Sequence, residues 1–146
     1  MFKVLLALHL LAAVFAVGPL VHAATTASRG LRQKDAAAIK LTSRMCTIYA
    51  IASVLVVIFG FGLMSMDSPY HAGKVASFGD VWIWLSLLLW LVAAVLALFV
   101  VVPTLDKAAA DVESAPSLVG KVAAAGGITG ILFAVIIFLM VYQPGS

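Results

Sequence analysis

The sequence predicts an all-α protein, a four-helix transmembrane bundle running up-down-up-down with both termini outside. Three observations predict it. Charged residues make up only 10% of the chain and hydrophobic residues 64%, with a mean hydropathy of +1.19, whereas about a quarter of a soluble domain is charged. Four stretches, 4–24, 45–66, 81–103 and 122–142, contain no Asp, Glu, Lys or Arg and together hold 87 of the 146 residues. Seven of the nine basic residues lie in the first and third connections. A single integral membrane domain, 1–146, is expected.

The first stretch, 4–24, has 21 residues, and the other three have 22, 23 and 21. A rise of about 1.5 Å per residue makes each long enough for a hydrocarbon core of about 30 Å. A membrane barrel would need shorter, alternating segments, and these stretches are apolar on every face. The first stretch also has a rival reading as a cleavable signal peptide, because Met-Phe-Lys precedes it and Val21-His22-Ala23 resembles a cleavage pattern. Cleavage there would leave the five basic residues of the first connection outside and invert the charge bias. A retained helix is therefore the expectation.

The first connection holds Arg29, Arg32, Lys34, Lys40 and Arg44, and the third holds Lys107 and Lys121. Only Lys3 and Lys74 lie opposite. The positive-inside rule then places both connections in the cytoplasm and both termini outside. The sequence at 35–44, DAAAIKLTSR, is expected to extend the second helix, with its cations near lipid headgroups. In the third connection LDKAAADVES predicts a short helical piece stopped at Pro116. The 67–80 link, with Pro69, Gly73 and Gly79, reads as turns, and Asp80 is expected to cap the third helix. Trp82, Trp84, Tyr70 and Tyr142 fall where an aromatic belt belongs.

Helix contacts in lipid favour small residues. Gly126 and Gly130 form a G-x-x-x-G pair on the fourth helix, with Ala123 and Gly127 one step round, and Ala12 and Ala16 offer a matching face on the first. These spacings predict a close bundle, or a partner on the fourth helix. LLAAVFA at 10–16 matches LVAAVLA at 91–97 in five of seven positions, a candidate repeat of the first and third helices.

Several function classes are excluded. One cysteine, Cys46, allows no internal disulfide and no Cys-x-x-Cys zinc site. The +3 net charge gathers beside apolar stretches and forms no polar face for nucleic acid. No Walker loop, G-x-S-x-G, H-E-x-x-H or G-x-G-x-x-G is present, and all six carboxylates lie in connections, so the expectation is a non-enzyme.

His9 is the one strongly polar side chain well inside a stretch, and an intramembrane ionisable group is a functional candidate by default. Ala12, Ala13 and Ala16 share its face, so it should point into the bundle, either as a neutral imidazole bonded to a neighbouring helix or in proton transfer or ligation. Haem between two histidines is disfavoured: His22 is about 20 Å along the same helix and His71 is in the 67–80 link. Copper is the better-motivated cofactor. Met64, Met66, Asp67 and His71 cluster where the second helix ends, and His9 and Met140 come from the same half, a soft thioether and imidazole set suited to Cu(I).

ALHLLAAVFAVGP at 7–19, Tyr49-Ala50, Phe59-Gly60, Asp80-Val81-Trp82, the Val-Val-Pro end of the third stretch and the terminal LMVYQPGS together resemble an uncharacterised family of small actinobacterial integral membrane proteins. That family is expected to have four helices and is distantly similar to the copper-resistance D membrane domain. The resemblance touches all four stretches in order. It implies a retained first helix and no established activity, and where similar proteins end in Arg-Pro-Gly-Ser this chain has Gln143. The functional expectation is an accessory or scaffold subunit packing against partner membrane proteins or a second copy, in a larger assembly such as a respiratory complex. The alternative is copper handling or small-solute transport through the bundle.

Overall fold

In a computed structural model the chain forms four long helices, described over residues 2–67, 73–74, 76 and 79–144. They are α1 (Phe2–Arg32), α2 (Ala36–Met64), α3 (Val81–Ala110) and α4 (Ala115–Tyr142), each long and apolar enough to cross a membrane. The all-α four-helix expectation is met. For orientation we call the end with the 33–35 and 111–114 links the basic end, and the other the terminal end.

Each helix runs past its apolar stretch at the basic end. α1 continues to Arg32 because Leu20, Ala24, Ala27 and Leu31 recur on one face and are fully buried. The chain then turns through Lys34, whose φ of 52° is left-handed. Asp35 restarts the helix, its Oδ1 accepting from the Ala38 N–H at 3.2 Å. The LDKAAA piece continues α3 without a break and ends at Ala110. Pro116 opens α4 through a short 3-10 turn at Ala115–Leu118 rather than stopping a helix, since a first-turn proline gives up no helical hydrogen bond. Asp80 occupies the N-cap position of α3, but its side chain makes no capping bond.

Two helices contain π turns, Ala13–Val17 in α1 and Leu96–Val101 in α3. Each is followed by a proline, Pro19 and Pro103, whose ring would strike the carbonyl four residues back. The widened turn relieves that clash: the Gly18 N–H donates to the Ala13 carbonyl and the Val102 N–H to the Ala97 carbonyl, five residues back in both cases. This paired device, not the LLAAVFA string, makes α1 and α3 alike. Pro19 and Pro103 are 84 residues apart, whereas Leu10 and Leu91 are 81 apart.

The π turns divide the bundle into two halves. Toward the basic end, Gly18–Arg32 packs on both α2 and α4, and Val102–Ala110 packs on α2. The main core, most of which lies there, has sixteen buried members among the described residues, half of them Ala, which brings the helices close. Toward the terminal end, Phe2–Ala12 packs on α2 and Val81–Val95 on α4, while neither α1 with α4 nor α2 with α3 makes extended contact. The molecule is a clothes-peg: filled at one end and cleft at the other.

Specific polar contacts tie the basic end together. Near the basic end the buried Ser43 hydroxyl donates to Asp106 Oδ1 at 2.6 Å, joining α2 to α3. Lys34 Nζ lies 3.2 Å from Glu113 Oε2 and ties the two links, an exposed pair worth under about 1 kcal/mol.

Candidate functional site

The cleft forms a cavity of about 1110 Å³ lined by all four helices, with no Asp, Glu, Lys or Arg in its wall. Its size follows from the splay above the π turns. A second apolar cluster, Met64, Ala76, Trp82, Ile83 and Leu139, lies toward the terminal end, and three of its members, Met64, Trp82 and Ile83, also line the cavity. The Ser53 hydroxyl donates to the Ala50 carbonyl at 2.6 Å and accepts from Trp90 Nε1 at 3.0 Å, so α2 and α3 are joined by a satisfied polar pair beside the cavity. Leu10 and Val14 of α1 and Ile137 and Val141 of α4 line the cavity and are also exposed on the outer surface of the bundle.

His9 is held on the cavity wall by α2. Its Nδ1 lies 2.9 Å from the Val56 carbonyl oxygen. A carbonyl only accepts, so Nδ1 carries the proton, and in the neutral ring Nε2 keeps its lone pair. Gly60 makes the contact feasible: a Cβ there would lie 3.2 Å from His9 Cε1, against the ring. The glycine lowers the α2 surface by one side chain, so the imidazole reaches a carbonyl that helical neighbours usually cover.

Trp82, Ser86 and Trp90 occupy successive turns of one α3 face, and all three line the cavity. Trp90 is paired with Ser53. Trp82 Nε1 and Ser86 Oγ have no hydrogen-bond partner, although the residues are only 4% and 2% exposed. Leaving a buried donor unsatisfied costs about 1–3 kcal/mol. Trp82 is thus a cavity residue rather than a member of an exposed belt; Trp84 and Tyr142 are exposed.

The copper candidates are divided. His9, Met64 and Met140 line the cavity. Met66 is half-buried and outside its wall, and His71, like Tyr70, lies outside the described residues. Among the described residues no three His, Cys, Asp or Glu side chains group as a metal site.

The small-residue candidates pack inside the chain. A Cβ on Gly126 would run into the Ala24 carbonyl oxygen, with the Ala24 carbonyl carbon at 2.8 Å, and one on Gly130 would lie 3.3 Å from Thr25 Cγ2. The G-x-x-x-G face of α4 is therefore taken by α1. Ala16 is buried on the first helix and Ala12 is half-buried. Gly120, Ala123 and Gly127 face outward, and a Cβ on either glycine would meet open space. Arg29, Arg32, Lys34, Lys40 and Arg44 are all exposed at the basic end.

Sequence reasoning missed the Trp82, Ser86 and Trp90 row. Their spacing of four was a readable signal, but an all-apolar helix gives no hint which face looks inward. No family model, no curated protein and no solved structure matches the chain.

Proposed function

We propose that the protein is a non-enzymatic accessory or scaffold subunit of the cell membrane, packing against partner membrane proteins in a larger assembly such as a respiratory complex. The observation that carries this reading is the filled half of the bundle. Ala-rich packing from Leu20 to Ala125 leaves no passage toward the basic end, which counts against solute transport through the bundle. The outward Gly120 and Gly127 support it, because a second helix can approach α4 closely there without disturbing the α1 contact. In this reading both termini lie outside, and the exposed basic residues at the opposite end face the cytoplasm and anionic headgroups.

Solubilisation in mild detergent followed by native electrophoresis tests it. Co-migration with other membrane proteins, or as a defined homo-oligomer, is expected, and migration only as a bare monomer contradicts it. Gly127→Leu should dissolve the assembly and leave the monomer folded. Gly126→Leu is the folding control, since its side chain would enter α1.

Copper handling is the second reading, favoured by the placement of His9, Met64 and Met140 on one cavity and by the His9 Nδ1–H bond to a backbone carbonyl, a common way of orienting a metal-ligating imidazole. Metal analysis of gently purified protein decides it: stoichiometric copper lost in Met64→Leu supports it, and copper-free protein removes it.

A further inference from the structure

We infer that the cleft between the α1–α2 and α3–α4 pairs is a binding site for an uncharged membrane lipid with a hydroxyl head, which enters sideways from the bilayer. Four observations point to this ligand class.

Access comes first. Leu10 and Val14 of α1 and Ile137 and Val141 of α4 line the cavity and are exposed on the apolar outer surface of the bundle. A guest can therefore enter from the hydrocarbon phase. Size comes second: about 1110 Å³ reaches the upper end of small-molecule pockets, and such sites bind mainly by apolar contact with a few placed polar groups. A chain-bearing molecule fits that volume, and a bare ion does not need it. Charge comes third. With no Asp, Glu, Lys or Arg in the wall, an ammonium head would be desolvated without a counter-ion, and a carboxylate would meet only His9, whose Nδ1–H is already given to the Val56 carbonyl; a charged head is heavily penalised in such a site.

The polar groups present come fourth, and they select a hydroxyl. His9 is fixed with Nδ1–H on the Val56 carbonyl, so Nε2 is an acceptor looking for a donor. Across the cleft, Trp82 Nε1–H and Ser86 Oγ–H are donors without an acceptor. A hydroxyl is the simplest uncharged head that both gives a proton to Nε2 and offers an oxygen to a donor. The Trp82 and Ser86 polar atoms are themselves covered, so the second bond requires a side-chain rotation as the guest enters. Trp90 takes no part, since its N–H is already used.

Photolabelling in phosphatidylcholine nanodiscs tests the inference, using a sixteen-carbon alcohol with a diazirine in its chain and adduct mapping by mass spectrometry. Adducts are expected at the buried and half-buried cleft residues Val17, Val57 and Phe133, above the level at outward residues such as Ile51 and Phe99. Hexadecanol should compete at least fivefold better than palmitate or hexadecane. His9→Phe should weaken hexadecanol competition about fivefold, the worth of one net hydrogen bond, and leave hexadecane competition unchanged. Ala134→Trp, which fills the cleft from α4 without touching a polar group, should abolish cleft labelling while circular dichroism stays native. Uniform labelling of lipid-facing residues would overturn the proposal. So would full alcohol preference in His9→Phe, undiminished labelling in a folded Ala134→Trp, or palmitate competing as well as the alcohol. Stoichiometric copper that displaces the probe would assign the cavity to the metal instead.

Discussion

His9 Nδ1 sits 2.9 Å from the carbonyl oxygen of Val56, two helices meeting through one ring and one backbone group. The contact depends on Gly60, one helical turn beyond Val56, because any side chain there would press on the imidazole. His9→Leu should lower stability in detergent by about 0.6–1.7 kcal/mol, the range of hydrogen bonds between membrane helices. Gly60→Val should cost more, since it both expels the ring and overpacks the interface. Nitrogen-15 NMR of the labelled histidine should find Nδ1 protonated and Nε2 bare. The opposite tautomer would contradict the geometry.

Gly126 and Gly127 are neighbours with opposite surroundings, one against the Ala24 carbonyl and one against open space. Gly126→Ala should destabilise the fold by about 1–3 kcal/mol through overpacking, read as an earlier midpoint in a denaturation titration. Gly127→Ala should shift the midpoint by less than about 0.5 kcal/mol. Equal effects would mean that α4 packs in a different rotation.

Ser53 holds Trp90 at the cavity wall, with its proton on the Ala50 carbonyl and a lone pair on Trp90 Nε1–H. Ser53→Ala strands a half-buried indole donor. The expected loss is about 1–3 kcal/mol, with a shift in the Trp90 emission as its partner is lost. Ser86→Ala removes a hydroxyl that has no partner, so stability should hold or rise slightly.

The Ser43 to Asp106 bond of 2.6 Å joins α2 and α3 on the basic side of the filled half. Asp106→Ala leaves a hydroxyl that is 4% exposed without its acceptor, and a loss of about 1–2 kcal/mol is expected in thermal melts. Glu113→Gln, by contrast, removes only an exposed ion pair with Lys34 and should be near neutral.

The four helices were legible because exclusion of charge over twenty or more residues has few other causes. The extension of α2 back to Ala36 was legible as well, since DAAAIKLTSR is rich in helix formers, while the capping role of Asp35 emerges only from the structure. One error originates in proline. Pro116 reads as a stop but sits in a first turn. The outcome depends on which backbone groups still need partners, and spacing does not report that. The burial of Gly126 against Ala24 was half legible: small residues marked a close contact without saying whether its other side lay in the same chain. The cleft was not legible at all. It arises from the divergence of two helix pairs, and the partner of His9 is a backbone carbonyl, which leaves no trace in residue type.

Collision measurements on two spin labels in a Cys46→Ala background, in bilayers, test the clothes-peg most directly. A label at residue 13, on the cleft wall, should collide freely with dissolved oxygen and scarcely with a water-soluble nickel chelate, whereas one at residue 97, fully buried in the filled half, should be shielded from both. Strong nickel collisions at residue 13, or oxygen collisions there as rare as at residue 97, would contradict a cleft open to lipid.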